Sequence, residues 1–344
     1  MKINKLILLV TIIAIAFSTT ALFAGNKDKV GGAGAQQLLI PVGARTIAMG
    51  GAFNAMVSGN EAIYWNPAGL AASEATAEAT FCNLQWIADT QVNFFAVSSK
   101  FGRLGSFALS AKIFSFGEFE QTTEFETEGT GLMVEPSITT IGFTFSRQMT
   151  DRIFFGFNAK LISESFLRMS TTGIAFDFGV QYISSVGVRM GLTLNNFGGM
   201  MKYTGEDLQH TVDIPYTEAG SQPLDLRIEA QSFELPSTFE IGIAYDYRLS
   251  DQHIMTVATN YKNQNYGLDE IMGGVEYGFN DMFFVRGGYS HAPEGDEDDN
   301  IFGFTAGVGI KYALPAGTKF SIDYAYRETK WFSSNQWVSL SVMF

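Results

Sequence analysis

The side chains in this sequence best placed to do chemistry are charged residues set at every second position of otherwise apolar stretches. Lys160, Asp177, Glu240, Glu276, Arg286, Asp323 and Arg327 are of this kind, with Lys112, Glu164, Arg189, Asp246 and Lys311 beside them. Both signs are mixed, so the chemistry on offer is ion pairing on a shared polar face. Two arrangements would use it: a cross-linked interior that grips an internal segment, or a charge-selective channel. The first is expected, because a porin carries more strands and no long N-terminal insert. Catalytic signatures are missing from the sequence: there is no GxSxG, P-loop, HExxH or CxxC. No enzyme activity, cofactor or metal is therefore expected. His210, His253 and His291 are too far apart in sequence to suggest a metal cluster. The acidic run at 294–300 lacks the sixth-position Gly and distal Glu of a calcium loop and reads as a solvated turn. Gly31-Gly32-Ala33-Gly34 has the wrong spacing for a dinucleotide fingerprint and reads as a flexible linker. Cys82 stands alone, which excludes an internal disulfide, and reads as a small strand residue.

The elements that position these charges are strands. Of the 344 residues, 14% are aromatic and 17% charged, with 36 glycines and 8 prolines, which favours β-structure over a helical enzyme. The net charge of −13 argues against nucleic acid, which requires a basic face. Residues 1–24 read as a secretory signal. Lys2 and Lys5 precede an apolar run, and Thr19, Ala21 and Ala24 offer small cleavage-site residues. An uncleaved anchor is the alternative, but the run decays into Ser18-Thr19-Thr20 before any stop-transfer charge.

After the signal, alternation with period two dominates. Residues 318–327 set Phe320, Ile322, Tyr324 and Tyr326 against Lys319, Ser321, Asp323 and Arg327. Residues 301–312 set Phe302, Phe304, Val308, Ile310 and Tyr312 against Gly303, Thr305, Gly307, Gly309 and Lys311. Strands are expected at 74–84, 90–100, 103–114, 137–147, 153–166, 172–184, 187–197, 237–246, 253–262, 268–279, 282–290, 301–313, 317–326 and 336–344. Most are about ten residues long, the length a tilted membrane strand needs, and no helical pattern separates them. Tight turns alternate with long polar connections at 115–136, 197–236 and 290–300, as periplasmic turns alternate with outer loops. The last strand places Val338, Leu340, Val342 and the terminal Phe344 on one face.

The expected fold is all-β: a transmembrane antiparallel up-and-down barrel of about fourteen strands, apolar face toward lipid, closed so that no edge is left open. Residues 1–24 would be the signal peptide, 25–73 an N-terminal hatch inside the lumen, and 74–344 the barrel. The acidic connections at 118–128 and 204–236 intersperse Phe119, Phe125, Leu224, Leu226, Ile228, Phe233 and Leu235, which suits loop packing or contact with a partner protein.

Residues 43–70, GARTIAMGGAFNAMVSGNEAIYWNPAGL, fit neither a clean helix nor a clean strand. Small residues there permit close backbone packing, and Pro67 after Asn66 imposes a turn. Arg45 could satisfy an inward carboxylate, with Glu240, Glu276 and Asp323 as candidates. GARTIAMGGAF followed by EAIYWNPAGLA resembles the N-terminal motif of the PorV/PorQ family, within the fatty-acid-transporter-like outer-membrane barrels. Gly43, Arg45, Met49, Gly50, Gly51, Trp65, Asn66, Pro67 and Gly69 form the expected hatch motif, and the terminal Phe344 resembles the signal read by the outer-membrane assembly machinery. The resemblance implies the outer membrane of a Gram-negative-type bacterium, crossed many times. It implies a part in type IX secretion, binding exported proteins or secretion partners through the outer loops. The alternative it leaves open is a transporter of hydrophobic solutes such as long-chain fatty acids.

Overall fold

The computed structural model describes residues 29–88, 90–212, 224–296, 298–315 and 317–344; the expected signal peptide lies outside the described residues. Fourteen strands form the wall: β1 Ala77–Gln85, β2 Gln91–Lys100, β3 Ser106–Ser115, β4 Ser137–Thr150, β5 Ile153–Phe166, β6 Met169–Ile183, β7 Val188–Gly198, β8 Thr238–Arg248, β9 His253–Gln264, β10 Glu270–Phe279, β11 Phe283–His291, β12 Phe302–Ala313, β13 Lys319–Thr329 and β14 Asn335–Met343. Each pairs antiparallel with its sequence neighbours, and β1 pairs with β14 from Glu78↔Met343 to Gln85↔Gln336, which closes the barrel. The last residue finishes the seam: Phe344 N–H donates to Ala77 O at 2.8 Å, and Thr76 N–H donates to Phe344 O at 2.6 Å.

Alternation along the strands sorts the side chains. Phe95, Val97, Leu109, Val308 and Ile322 point outward and are about half exposed. Thr80, Thr144, Asn158, Asp177, Thr193, Asn260 and Glu276 point inward and are buried. An apolar exterior around a polar interior is the arrangement that lipid requires. No helix among the described residues is long and apolar enough to cross a membrane.

The expected strand positions agree to within a few residues, with four corrections. First, the outer connections are not uniformly long, since β5 and β6 are joined by Leu167 and Arg168 alone, with Leu167 at φ 53°. Second, a register shift between Phe302 and Thr305 adds a residue to β12. It turns Phe302 inward, away from the lipid face shared by Phe304 and Val308. Third, Phe233 and Leu235 do not project from the surface. Phe233 pairs with Met201 through backbone bonds, and Leu235 is buried with Leu38 and Ile162. Phe119, Phe125, Leu224, Leu226 and Ile228 are exposed as expected of loop residues. Fourth, Gly34 is not part of a free linker. Its N–H donates to Glu234 O at 3.1 Å, and a Cβ there would collide with the Phe233 ring.

Candidate functional site

Irregular backbone at membrane depth is tolerated only where protein groups satisfy it. Residues 33–72 show how this is done. They run through the barrel as three short α-helical turns, α1 Ala44–Ala48, α2 Ala62–Trp65 and α3 Gly69–Ala72, with 3-10 turns at Gln36–Leu39 and Gly59–Glu61 and irregular chain between. Side chains of the wall meet their free backbone groups. Ala44 N–H donates to Ser339 Oγ at 2.9 Å, and Thr305 Oγ1 donates to Ala48 O at 3.2 Å. Gln181 Nε2 donates to Asn54 O and Val57 O, both at 3.0 Å. Ser146 Oγ donates to Ala68 O at 2.9 Å, and Trp337 Nε1 to Pro41 O at 3.1 Å. These partners come from β14, β12, β6, β4 and β14 again, so the segment touches opposite walls.

Close approach is made possible by glycines in the wall. A Cβ on Gly288 would overlap Gly50 N and the Met49 carbonyl carbon, and one on Gly274 would overlap the Met49 carbonyl. Gly156 faces Pro67 in the same way, Gly179 faces Asn66, and Gly307 faces Ala48. Here the missing side chain is the function, because two backbones meet where one would normally meet a side chain. On the segment's own side, Gly50 has φ 69° and faces Tyr289 N, which would lie 2.7 Å from an added Cβ.

The other motif residues fix the segment's shape. Trp65 Nε1 donates to Val42 O at 2.8 Å. Asn66 Nδ2 donates to Asn54 Oδ1 at 2.6 Å while its Oδ1 accepts from Ala68 N–H at 3.2 Å, turning the chain at Pro67. A Cβ on Gly69 would strike Val57 O, and Gly43 stands against Glu61. Asn60 had not been singled out by its sequence context. Its Nδ2 lies within bonding distance of Glu78 O, Thr80 Oγ1 and Ala96 O, tying the segment to β1 and β2.

Of the three candidate partners for Arg45, the fold selects Glu276. Nε and one terminal nitrogen contact the two carboxylate oxygens at 2.9 and 2.7 Å. Glu276 also accepts from Arg286 Nε, and Arg286 reaches Asp323 Oδ1 at 2.6 Å. The result is a chain of alternating charge with the Arg45 guanidinium 4.7 Å over the Phe53 ring. Alternation lets each buried charge be neutralised by its neighbours. On the opposite wall Lys160 pairs with Asp177 at 2.7 Å and also donates to Asn196 Oδ1. Glu240 accepts from Asn260 Nδ2 at 2.7 Å. Lys112 Nζ is 2.8 Å from Gln37 O and 2.5 Å from Ile40 O, and it lies 5.0 Å from the Tyr64 ring centroid.

Two cavities flank the segment. Toward the short turns lies one of about 310 Å³, lined by Arg45, Glu61, Arg189, Asp246, Glu276, Arg286 and Asp323 among others. Toward the long connections lies one of about 410 Å³, lined by Tyr64, Trp65, Trp86, Phe302, Met272, Lys160, Lys262, Glu240, Glu270 and Arg327. Arg327 is set among rings rather than in an ion pair. Its guanidinium carbon is 3.7 Å from the Phe302 ring centroid, 4.9 Å from that of Trp337 and 5.2 Å from that of Trp86. It donates to Asn335 Oδ1 at 3.1 Å. Alternation marks Arg327 as inward-facing, but Trp86 comes from a loop and Phe302 from a bulge, so the cage was not legible in the pattern.

His253 bonds Tyr277 through Nδ1 at 2.6 Å, and His291 stacks on Tyr289. In the acidic run, Lys330 pairs with Asp298 at 2.9 Å and Asn300 closes the turn onto Ala292.

A closed fourteen-stranded barrel with an apolar exterior and an occupied lumen defines an outer-membrane protein that crosses the membrane many times. No family model and no curated protein matches the sequence. Solved structures do match. The Pseudomonas putida toluene transporter TodX superposes with a TM-score of 0.56 at 14% identity, over 88% of this chain and 97% of that one. The Ralstonia pickettii toluene transporter TbuX gives 0.52 at 15%, over 88% and 97%. A Pseudomonas aeruginosa FadL homologue gives 0.52 at 11%, over 89% and 98%. These neighbours are transporter and channel barrels, and what this chain shares with them is the fold.

Proposed function

We propose that the protein passes hydrophobic solutes through the outer membrane, with residues 25–73 as the hatch and residues 74–344 as the barrel. The observation that carries this is the cavity on the long-connection side, where Tyr64, Trp65, Trp86 and Phe302 stand among polar and charged groups, separated from a more highly charged cavity on the turn side by tightly seated chain. Aromatic faces beside placed polar groups are what small-molecule sites use. Toluene transporters with the same fold favour this reading over the secretion role that the sequence motif first suggests. In it, Gly43, Gly50, Gly51 and Gly69 seat the hatch, Arg45 latches it to Glu276, and Phe344 serves as the assembly signal. The test is uptake of labelled naphthalene by cells that express the chain, against cells carrying an empty vector. Faster uptake is expected, and equal rates would count against the reading.

One observation favours the secretion reading. Residues 116–136 carry six glutamates and no Lys or Arg, and they expose Phe119, Phe125, Leu132 and Met133 beyond the barrel. A surface of this kind suits a basic, apolar protein partner. Capture of the C-terminal domains of exported proteins, lost when residues 119–134 are replaced by a short Gly/Ser turn, would support it. Normal export in a deletion strain would remove it.

A further inference from the structure

The Arg327 site does something that a pore for plain hydrocarbons does not require. Arg327 is 8% exposed, and among the described residues no carboxylate lies within ion-pair distance of it. Its Nε is buried and has no hydrogen-bond partner, although the residue lines the loop-side cavity. A buried cation stripped of water and left without an anion is costly, and aromatic faces recover only part of that loss. The other buried or half-buried inward arginines on the wall are matched: Arg286 has Glu276 and Asp323, and Arg189 has Asp246. Of the other cations around the cavity, Lys160 is already paired with Asp177, whereas Lys262 stands with Arg327 on the cavity lining.

We propose that the loop-side cavity binds an aromatic carboxylate and that Arg327 recognises its head group. This rests on the hydrophobic-solute reading and narrows it to a substrate class. The carboxylate would meet the edge of the guanidinium that carries the unpaired Nε–H, where side-on contact is bidentate. The apolar body would lie against Tyr64, Trp65 and Trp86, which line the same space. Phe302 is the movable part. It stacks on the guanidinium, stands at the β12 bulge and is followed by Gly303. A ligand ring can take its place over the cation, so the stacking is exchanged rather than lost. Planarity matters because three ring faces already surround this cation, whereas a flexible chain would meet it without stacking.

The test is calorimetric titration of the full-length protein in nanodiscs, with empty nanodiscs subtracted. The probes are 1-naphthoate, the neutral 1-methylnaphthalene and the aliphatic decanoate. Naphthoate is expected to bind at least about tenfold more tightly than either of the others, the factor a charge-assisted hydrogen bond supplies. Arg327→Met should bring the naphthoate to methylnaphthalene ratio close to one, while Arg327→Lys should keep part of it. Heat-shifted mobility in gels reports whether each variant is a folded barrel. If Arg327→Met does not fold, the ratio in the unmodified protein still decides. Equal binding of naphthoate and methylnaphthalene, or tighter binding of decanoate, overturns the proposal while leaving hydrophobic-solute transport standing. Failure of all three probes to bind overturns both.

Discussion

The two ends of the lumen handle charge in opposite ways. At the turn end, Arg45, Glu276, Arg286 and Asp323 form a chain of alternating sign, and the inner segment contributes one member of it. At the loop end, Arg327 is surrounded by rings, and the wall supplies no carboxylate partner among the described residues. A paired network has its energy minimum with nothing added, which suits a latch. An unpaired cation in an aromatic cage gains from an arriving anion, which suits a receptor. The turn end therefore reads as the part that seals, and the loop end as the part that recognises.

Breaking the latch should have the largest effect. Glu276→Gln strips both Arg45 and Arg286 of an anion and should cost about 3–5 kcal/mol, the range for removing one member of a buried pair. Lowered unfolding temperature, together with ion conductance in planar bilayers, would report it. An unchanged conductance would mean that the latch does not hold the seal. Next comes the seat itself. Gly288→Val places a side chain where Gly50 and Met49 now lie, and overpacking of this kind costs about 1–3 kcal/mol. Protease cleavage within residues 43–70 should follow, because the displaced segment loses its wall contacts.

At the loop end the effect on stability should be smaller. Arg327→Met removes a cation that has no ionic partner, so the expected loss is below about 1.5 kcal/mol, the scale of a modest volume-conserving change. Tryptophan emission should shift, since Trp86 and Trp337 flank the guanidinium. Smallest of all is a contact outside the wall. The Arg168 backbone N–H, and then its side chain, hold the Asp207 carboxyl below its ordinary value of 3.8. A depressed carboxylate stabilises above its unfolded value, and that contribution fades as pH falls from about 3.8 toward the lower folded value. Loop cleavage by pepsin should rise across that window in the unmodified protein. Asp207→Asn should already show the higher rate above it.

The strands were legible because a lipid-facing wall enforces alternation, and one misplaced residue would turn a whole face. Arg45 was legible as a latch, but its partner was not. Glu240, Glu276 and Asp323 share the inward face, and only barrel closure says which wall lies beside α1. Phe302 was misread because a bulge adds a residue without leaving any mark on the hydrophobic pattern. The wall glycines were not recognised as a seat, since a residue without a side chain gives no sign of which backbone will approach it.

By itself, then, the sequence determined the closed all-β wall, its inward charges and the unusual character of residues 43–70. Period-two patterning, turn spacing and composition are local properties, and each residue carries its share of them. The tertiary structure alone decided the latch between Arg45 and Glu276, the glycine seat under Met49 and Gly50, and the ring cage around Arg327. Each of these joins residues more than two hundred positions apart, or a loop to a bulge, and such neighbours exist only once the barrel has closed around the segment it encloses.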